Sequence, residues 1–132
     1  HTLSEKQQPY TKAPSGGPLV QHALLGMLQN VKAGKISIEK MVEKMCHNPA
    51  MLFDVEKRGF IREGYYADLV QVSSRHSETV SRDNVLYKCG WSPFEGTVFD
   101  HKVMRTFING HLAYDNGKFS EERKAMRLTF NR

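Results

Sequence analysis

An α/β chain, with helices first and strands after them, follows from three observations. Apolar residues recur at helical spacing between Leu19 and Val31. Two β-prone runs, Val103 to Ile108 and His111 to Tyr114, flank Asn109-Gly110, the dipeptide that a tight hairpin turn favours because both central residues need positive φ. Gly59 and Gly64 precede Ala67-Asp68 and an apolar run, which reads as a tight hairpin feeding a buried strand.

The segment from His1 to Gly17 is polar and irregular. Pro9, Pro14, Ser15, Gly16 and Gly17 break regular structure and make a loop that can bring backbone amides close to a ligand. A plain lead-in to the next helix is the other reading of Gly16-Gly17. Pro18 suits a first helical position, where its missing N–H costs nothing. Leu19, Val20, Ala23, Leu24, Met27, Leu28 and Val31 then form one stripe, and Gly34 closes the helix. Ser37 caps a second helix, whose buried side is Ile38, Met41, Val42 and Met45. Asn48-Pro49 ends it, and Pro49 starts a short further turn through Phe53. A strand is expected from Ala67 to Val72, a second turn at Asn116-Gly117 and a short helix from Glu121 to Met126.

Nineteen Lys and Arg against fourteen Asp and Glu give a formal charge of +5. The signs are interspersed, as in Glu39-Lys40 and Glu43-Lys44, which is the pattern of solvated faces and not of a nucleic-acid footprint. No apolar run reaches the ~18 residues a membrane helix needs, so a soluble chain is expected. The first residue is a histidine, as in a processed chain, a proteolytic fragment or an excerpt, and nothing there has the layout of a targeting sequence. Cys46 and Cys89 lie far apart with no Cys-x-x-Cys neighbour, so two small buried, reduced thiols are expected.

A hydrolytic metal site announces itself as His-x-His or His-Glu-x-x-His, and neither is present. The six histidines are scattered. His22 reads as a helix-surface or hydrogen-bonded structural histidine. Cys46 and His47 are adjacent in a helix, where consecutive side chains diverge by about 100°, so they do not share a metal, and His47 is expected to bond a carbonyl near the helix end. His76, His101 and His111 are expected to face solvent.

The order His1-Thr2-Leu3, APSGGPLVQHALLGML (Ala13 to Leu28), HNPAMLF (His47 to Phe53), GFIREGYYADLV (Gly59 to Val70), SPFEG (Ser92 to Gly96) and FINGHLAY (Phe107 to Tyr114) resembles the C-terminal part of a bacterial dihydroorotase. The glycine-spaced element is shared with dihydropyrimidinases and allantoinases, while Ser92-Pro93-Phe94 and the Pro14 to Gly16 loop narrow the likeness. Leu19 stands where relatives often have glycine, and Ser15 where they have a bulkier residue.

The resemblance implies the C-terminal segment of a (β/α)₈ TIM-like metallohydrolase barrel plus part of a small β-sandwich domain. Residues 1–54 would be the last loop and helices of the barrel, 55–118 a β-rich domain part and 119–132 a tail. It implies a zinc enzyme that interconverts dihydroorotate and N-carbamoyl-L-aspartate, with zinc ligands and the proton-shuttling carboxylate outside this segment. His1 would meet the substrate carboxylate, and Ser15 and Gly16 the ring through main-chain groups. The expected partners are a small-molecule substrate, the remainder of the barrel and a second copy of the enzyme, with no nucleic acid and no membrane, and the expected compartment is the cytoplasm. An allantoinase or dihydropyrimidinase relative, or a non-catalytic supporting protein, is the competing reading. An isolated fragment is expected to expose Leu24, Met27 and Leu28.

Overall fold

A computed structural model describes residues 1–122 and 125–131. Helices occupy the first half: α1 (Leu3–Lys6), α2 (Ala23–Lys32), α3 (Ile38–Val42) and α4 (Asn48–Leu52). Strands β1 (Leu69–Ser73), β2 (Glu78–Thr79), β3 (Val98–Phe99), β4 (Lys102–Ile108), β5 (His111–Asp115) and β6 (Lys118–Phe119) follow. All pairings are antiparallel, in a sheet of order β1-β4-β5-β6 and a separate pair β2-β3.

The helix starts five residues later than Pro18, at Ala23, because Leu19 to His22 forms a turn in which the His22 N–H donates to the Leu19 carbonyl. Leu19, Val20 and Ala23 therefore stay exposed, and the buried face centres on Leu25 and Leu28. The expectation that Leu24, Met27 and Leu28 lie open is corrected: Leu28 is buried, and Leu24 and Met27 are half-buried against the core. At the far end Gly34, at φ +68°, accepts the left-handed conformation, with its N–H on the Val31 carbonyl and the Lys35 N–H on that of Asn30. These two bonds satisfy carbonyls that a helix end otherwise leaves bare.

Ser37 caps α3, its hydroxyl accepting the Lys40 N–H at 3.1 Å. Of the expected buried side, Met41 is buried, Val42 is half-buried and Ile38 and Met45 are exposed. Pro49 does not end the helix. Residues Glu43–His47 form a π-helical turn in which the Asn48 N–H reaches the Glu43 carbonyl, and α4 continues with Pro49 in its first turn. The widened turn absorbs the donor that proline lacks. Cys46 in this turn is exposed and Cys89 half-buried, so both thiols are free but neither is a core residue as expected.

Asn109 (φ 51°) and Gly110 (φ 80°) form the expected hairpin turn between β4 and β5, and Asn116 with Gly117 repeats it between β5 and β6. Asp68 explains why the Ala-Asp pair precedes the strand. Its carboxylate accepts the Asn109 N–H at 2.8 Å and pairs with Arg58, whose guanidinium also donates to the Asn109 side chain at 2.7 Å. The segment from Gly59 to Asp68 is a series of turns and contains no strand pair, and Leu69 and Val70 at the start of β1 are exposed, so the expected hairpin and buried strand are both corrected. Glu121, Glu122, Ala125 and Met126 are not helical, and the rest of that expected helix lies outside the described residues.

The core is Leu25, Leu28, Met41, Val80 and Phe99, with Phe94, Val72 and Val103 packed on it. It joins α2 and α3 to the strand pair and to the loop before it, and that junction fixes the position of the site loops.

Candidate functional site

A capping box starts α1: the Thr2 N–H donates to the Glu5 carboxylate at 2.5 Å, and the Glu5 N–H donates to the Thr2 hydroxyl at 3.4 Å. The Thr2 N–H, and the Thr2 hydroxyl donating to the same carboxylate at 3.0 Å, hold the Glu5 carboxyl below its usual range. The carboxylate lies 3.7 Å from the His1 imidazole Nδ1. At the other end of α1, the Lys6 ammonium donates to the carbonyls of Pro14 and, at 2.7 Å, Gly16. Lys6 thus folds the loop back over the helix that carries His1, and Gly16, at φ +82°, supplies the reversal.

The result is a cavity of about 270 Å³ lined by His1 and Ser15 to Pro18 together with Cys89 and Trp91. All three residues singled out in the sequence as substrate-binding face one space. The Trp91 indole N–H donates to the His1 carbonyl at 3.0 Å and ties the two walls together.

The wall carrying Cys89 and Trp91 is bolted to Gln21 and His22. The Gln21 side chain donates to the Asn84 carbonyl and accepts the Leu86 N–H, both at 2.8 Å, and its main-chain N–H donates to the Tyr87 hydroxyl at 2.8 Å. His22 is fully buried. Its Nδ1 meets the Ser92 hydroxyl at 3.2 Å, and Ser92 in turn accepts the Phe94 N–H at 3.2 Å. The Tyr87 hydroxyl lies 3.5 Å from the same nitrogen, and Nε2 has no hydrogen-bond partner among the described residues. The ring stacks on Phe99 at 6.0 Å and meets Tyr87 and Phe94 edge-on. Burial pushes the His22 pKa below its ordinary value, and the Glu78 carboxylate opposes that shift. Of its two sequence readings, His22 is the hydrogen-bonded structural histidine.

Sequence reasoning missed Trp91, Cys89 and Gln21. The signal was there for one of them, since Trp91 is the chain's single tryptophan and directly precedes Ser92-Pro93-Phe94. The other histidines stand apart from the cavity. His47 stacks on Phe60 at 4.3 Å instead of bonding a carbonyl at the helix end, and His76 meets the Ser73 hydroxyl at 2.8 Å. His101 and His111 are half-buried, each with one ring nitrogen unpaired, and not open to solvent as expected.

Among the described residues no three His, Cys, Asp or Glu side chains converge as a metal site requires. Zinc therefore does not fit this segment by itself. No described helix is long and apolar enough to cross a membrane.

The sequence pattern of the amidohydrolase family matches residues 15–113, three quarters of the chain and both walls of the cavity except His1. The chain belongs to the amidohydrolase family. It is 35% identical to a dihydroorotase of Halobacterium salinarum over 120 residues, covering 91% of this chain and 28% of that one. A dihydroorotase of Pyrococcus furiosus is 30% identical over 128 residues, covering 97% and 30% respectively. The chain thus spans less than a third of the length of these relatives. In fold this amidohydrolase segment superposes on a D-hydantoinase (dihydropyrimidinase) from Thermus sp. with a TM-score of 0.84 at 24% identity, over 92% of this chain and 28% of that one. The mixed helices and strands are thus a segment of an α/β amidohydrolase fold, in agreement with the fold class read from sequence.

Proposed function

We propose that this amidohydrolase segment is the closing part of a dihydroorotase, a zinc enzyme that opens dihydroorotate to N-carbamoyl-L-aspartate and closes it again for cytoplasmic pyrimidine synthesis. The observation that carries the reading is the shared cavity of His1, Ser15 and Gly16. Its main-chain groups suit a flat cyclic amide, because a glycine wall lets backbone N–H and C=O approach the ring edge. The His1 imidazole suits the carboxylate that distinguishes dihydroorotate from an unsubstituted dihydropyrimidine. The similarity to two dihydroorotases over more than nine tenths of the chain supports the same substrate class.

In this assignment residues 1–54 complete a barrel, 55–118 form part of an attached β-rich domain and 119–132 are a tail. Zinc and the proton-shuttling carboxylate belong to parts of the barrel outside this segment, so the segment alone is inactive. What these residues contribute is binding: they seat the ring, hold its carboxylate and screen it from water.

The test is a substrate comparison with the complete enzyme. Dihydroorotate is expected to be opened with a kcat/KM at least a hundredfold above that for hydantoin, dihydrouracil or allantoin, and His1→Ala is expected to erase most of that preference. A complete enzyme that prefers one of the rings without a carboxylate refutes the assignment in favour of the hydantoinase-like relatives.

A further inference from the structure

We infer that Trp91 is a positioning and specificity residue of the ring cavity, resting on the substrate class proposed above. It acts in two ways. Its indole N–H holds the His1 carbonyl at 3.0 Å, which fixes the backbone from which the His1 imidazole projects. Trp91 also forms part of the wall of the cavity of about 270 Å³ that Ser15, Gly16 and Gly17 line.

Three features show that this wall is built to stay in place. Gly90, at φ +69° with open space where a Cβ would stand, turns the chain between Cys89 and Trp91. On one side of that turn Tyr87 is held by Gln21, and on the other Ser92 is held by His22. Both anchors lie only three to six residues beyond Gly16 and Pro18, so the two walls of the cavity hang from one short stretch of chain. A tryptophan fixed at both flanks offers a large, flat and rigid surface at low entropic cost. A ring substituent pointing toward it meets the indole, whereas an unsubstituted ring fits.

The experiment uses the complete enzyme with dihydroorotate and its 5-methyl analogue. Trp91→Phe keeps the aromatic wall and removes the N–H. Its KM for dihydroorotate is expected to rise about fivefold, the size of one lost hydrogen bond, with kcat within twofold and an unchanged pH profile. Trp91→Ala opens the wall and is expected to shift the kcat/KM ratio at least tenfold toward the methylated ring. If the alanine variant does not fold, Trp91→Leu is used for the same ratio. A KM for Trp91→Phe within twofold of wild type overturns the inference. So does a loss that is equal for both rings in the opened variants, which is the signature of a purely structural residue. The wild-type ring preference is measured first. If that enzyme opens hydantoins instead, the substrate assignment fails by itself, and the same ratio for hydantoin against 5-methylhydantoin decides the role of Trp91.

Discussion

Replacing Gly59 with alanine in the complete enzyme would place a methyl group where the chain has no room. Gly59 sits at φ +78°, and a Cβ built there stands 2.4 Å from the Ala50 Cβ and 2.7 Å from the Cys46 carbonyl oxygen. Two costs add. An L-residue in the left-handed region costs roughly 1–2 kcal/mol. Both clashing partners belong to the π turn and α4, so relief requires a backbone shift, which costs about 1–3 kcal/mol. Gly64 isolates the first cost from the second, because it has the same φ of +78° and nothing within 4 Å of its Cβ position. Gly64→Ala should therefore lose roughly 1–2 kcal/mol and Gly59→Ala roughly 2–5 kcal/mol, in each case less the small gain from restricting the unfolded chain. Urea titration followed by far-ultraviolet circular dichroism, with both variants compared at equal slope, reads the difference. Equal midpoints for the two variants would refute the claim that close approach to α4, and not the dihedral alone, demands glycine at position 59.

The buried His22 makes stability fall on the acid side. Its folded pKa lies below the ordinary value of 6.5, so above that pH both folded and unfolded forms are neutral and no penalty applies. As pH drops below it the unfolded chain takes up a proton that the folded chain refuses, and stability is lost until the folded pKa is reached. His22→Phe should flatten this part of the stability profile, and an unchanged slope would remove His22 as its source. Gln21→Leu removes the bonds to the Asn84 carbonyl and from the Leu86 N–H, at a cost of about 0.5–1.5 kcal/mol because both groups lie near solvent. Faster amide exchange at Leu86 than in wild type is the expected reading. Lys6→Met frees the Pro14 and Gly16 carbonyls and should raise KM at least about tenfold with little effect on kcat, as expected when charge-assisted hydrogen bonds are lost. A change in kcat alone would contradict a role confined to shaping the loop.

What was legible in the sequence was local. Ser37 as a cap, Gly34 as a stop and Asn109-Gly110 as a hairpin turn each depend on a neighbour within a few residues, and the structure forms all three. Boundaries failed where a distant partner decided them. The stripe from Leu19 looked continuous, yet the polar clasp of Gln21 on Asn84 and Leu86 holds the residues before Ala23 in a turn. Pro49 looked like a stop because its missing donor was weighed without the wider turn that accommodates it. In the cavity, His1, Ser15 and Gly16 were singled out through family likeness, and they line one space. Trp91 was not, since nothing in the spacing of residues 75 positions apart shows that Trp91 and Gly16 line the same cavity.

The distribution of apolar side chains shows why the cavity is held by polar bonds. Among the described residues only Leu25, Leu28, Met41, Ala50, Val80 and Phe99 are buried apolar groups, and none of them lines the cavity. Apolar side chains stay exposed elsewhere: Ile38, Met51, Leu52 and Phe53 on and beside the helices, and Val70, Ile108 and Phe119 on the sheet. Val20, Leu24, Val70, Val103 and Ile108 line a further cleft of about 370 Å³ between α2 and the sheet. Such surfaces gain stability when other layers cover them, and in the proposed assignment the rest of the barrel is that cover. A binding site cannot depend on those layers for its fine geometry without inheriting every small adjustment in their packing. The bonds of Lys6, Gln21, His22 and Trp91 are directional and lie within the segment, and they hold the two cavity walls together, as the proposed ring site would require.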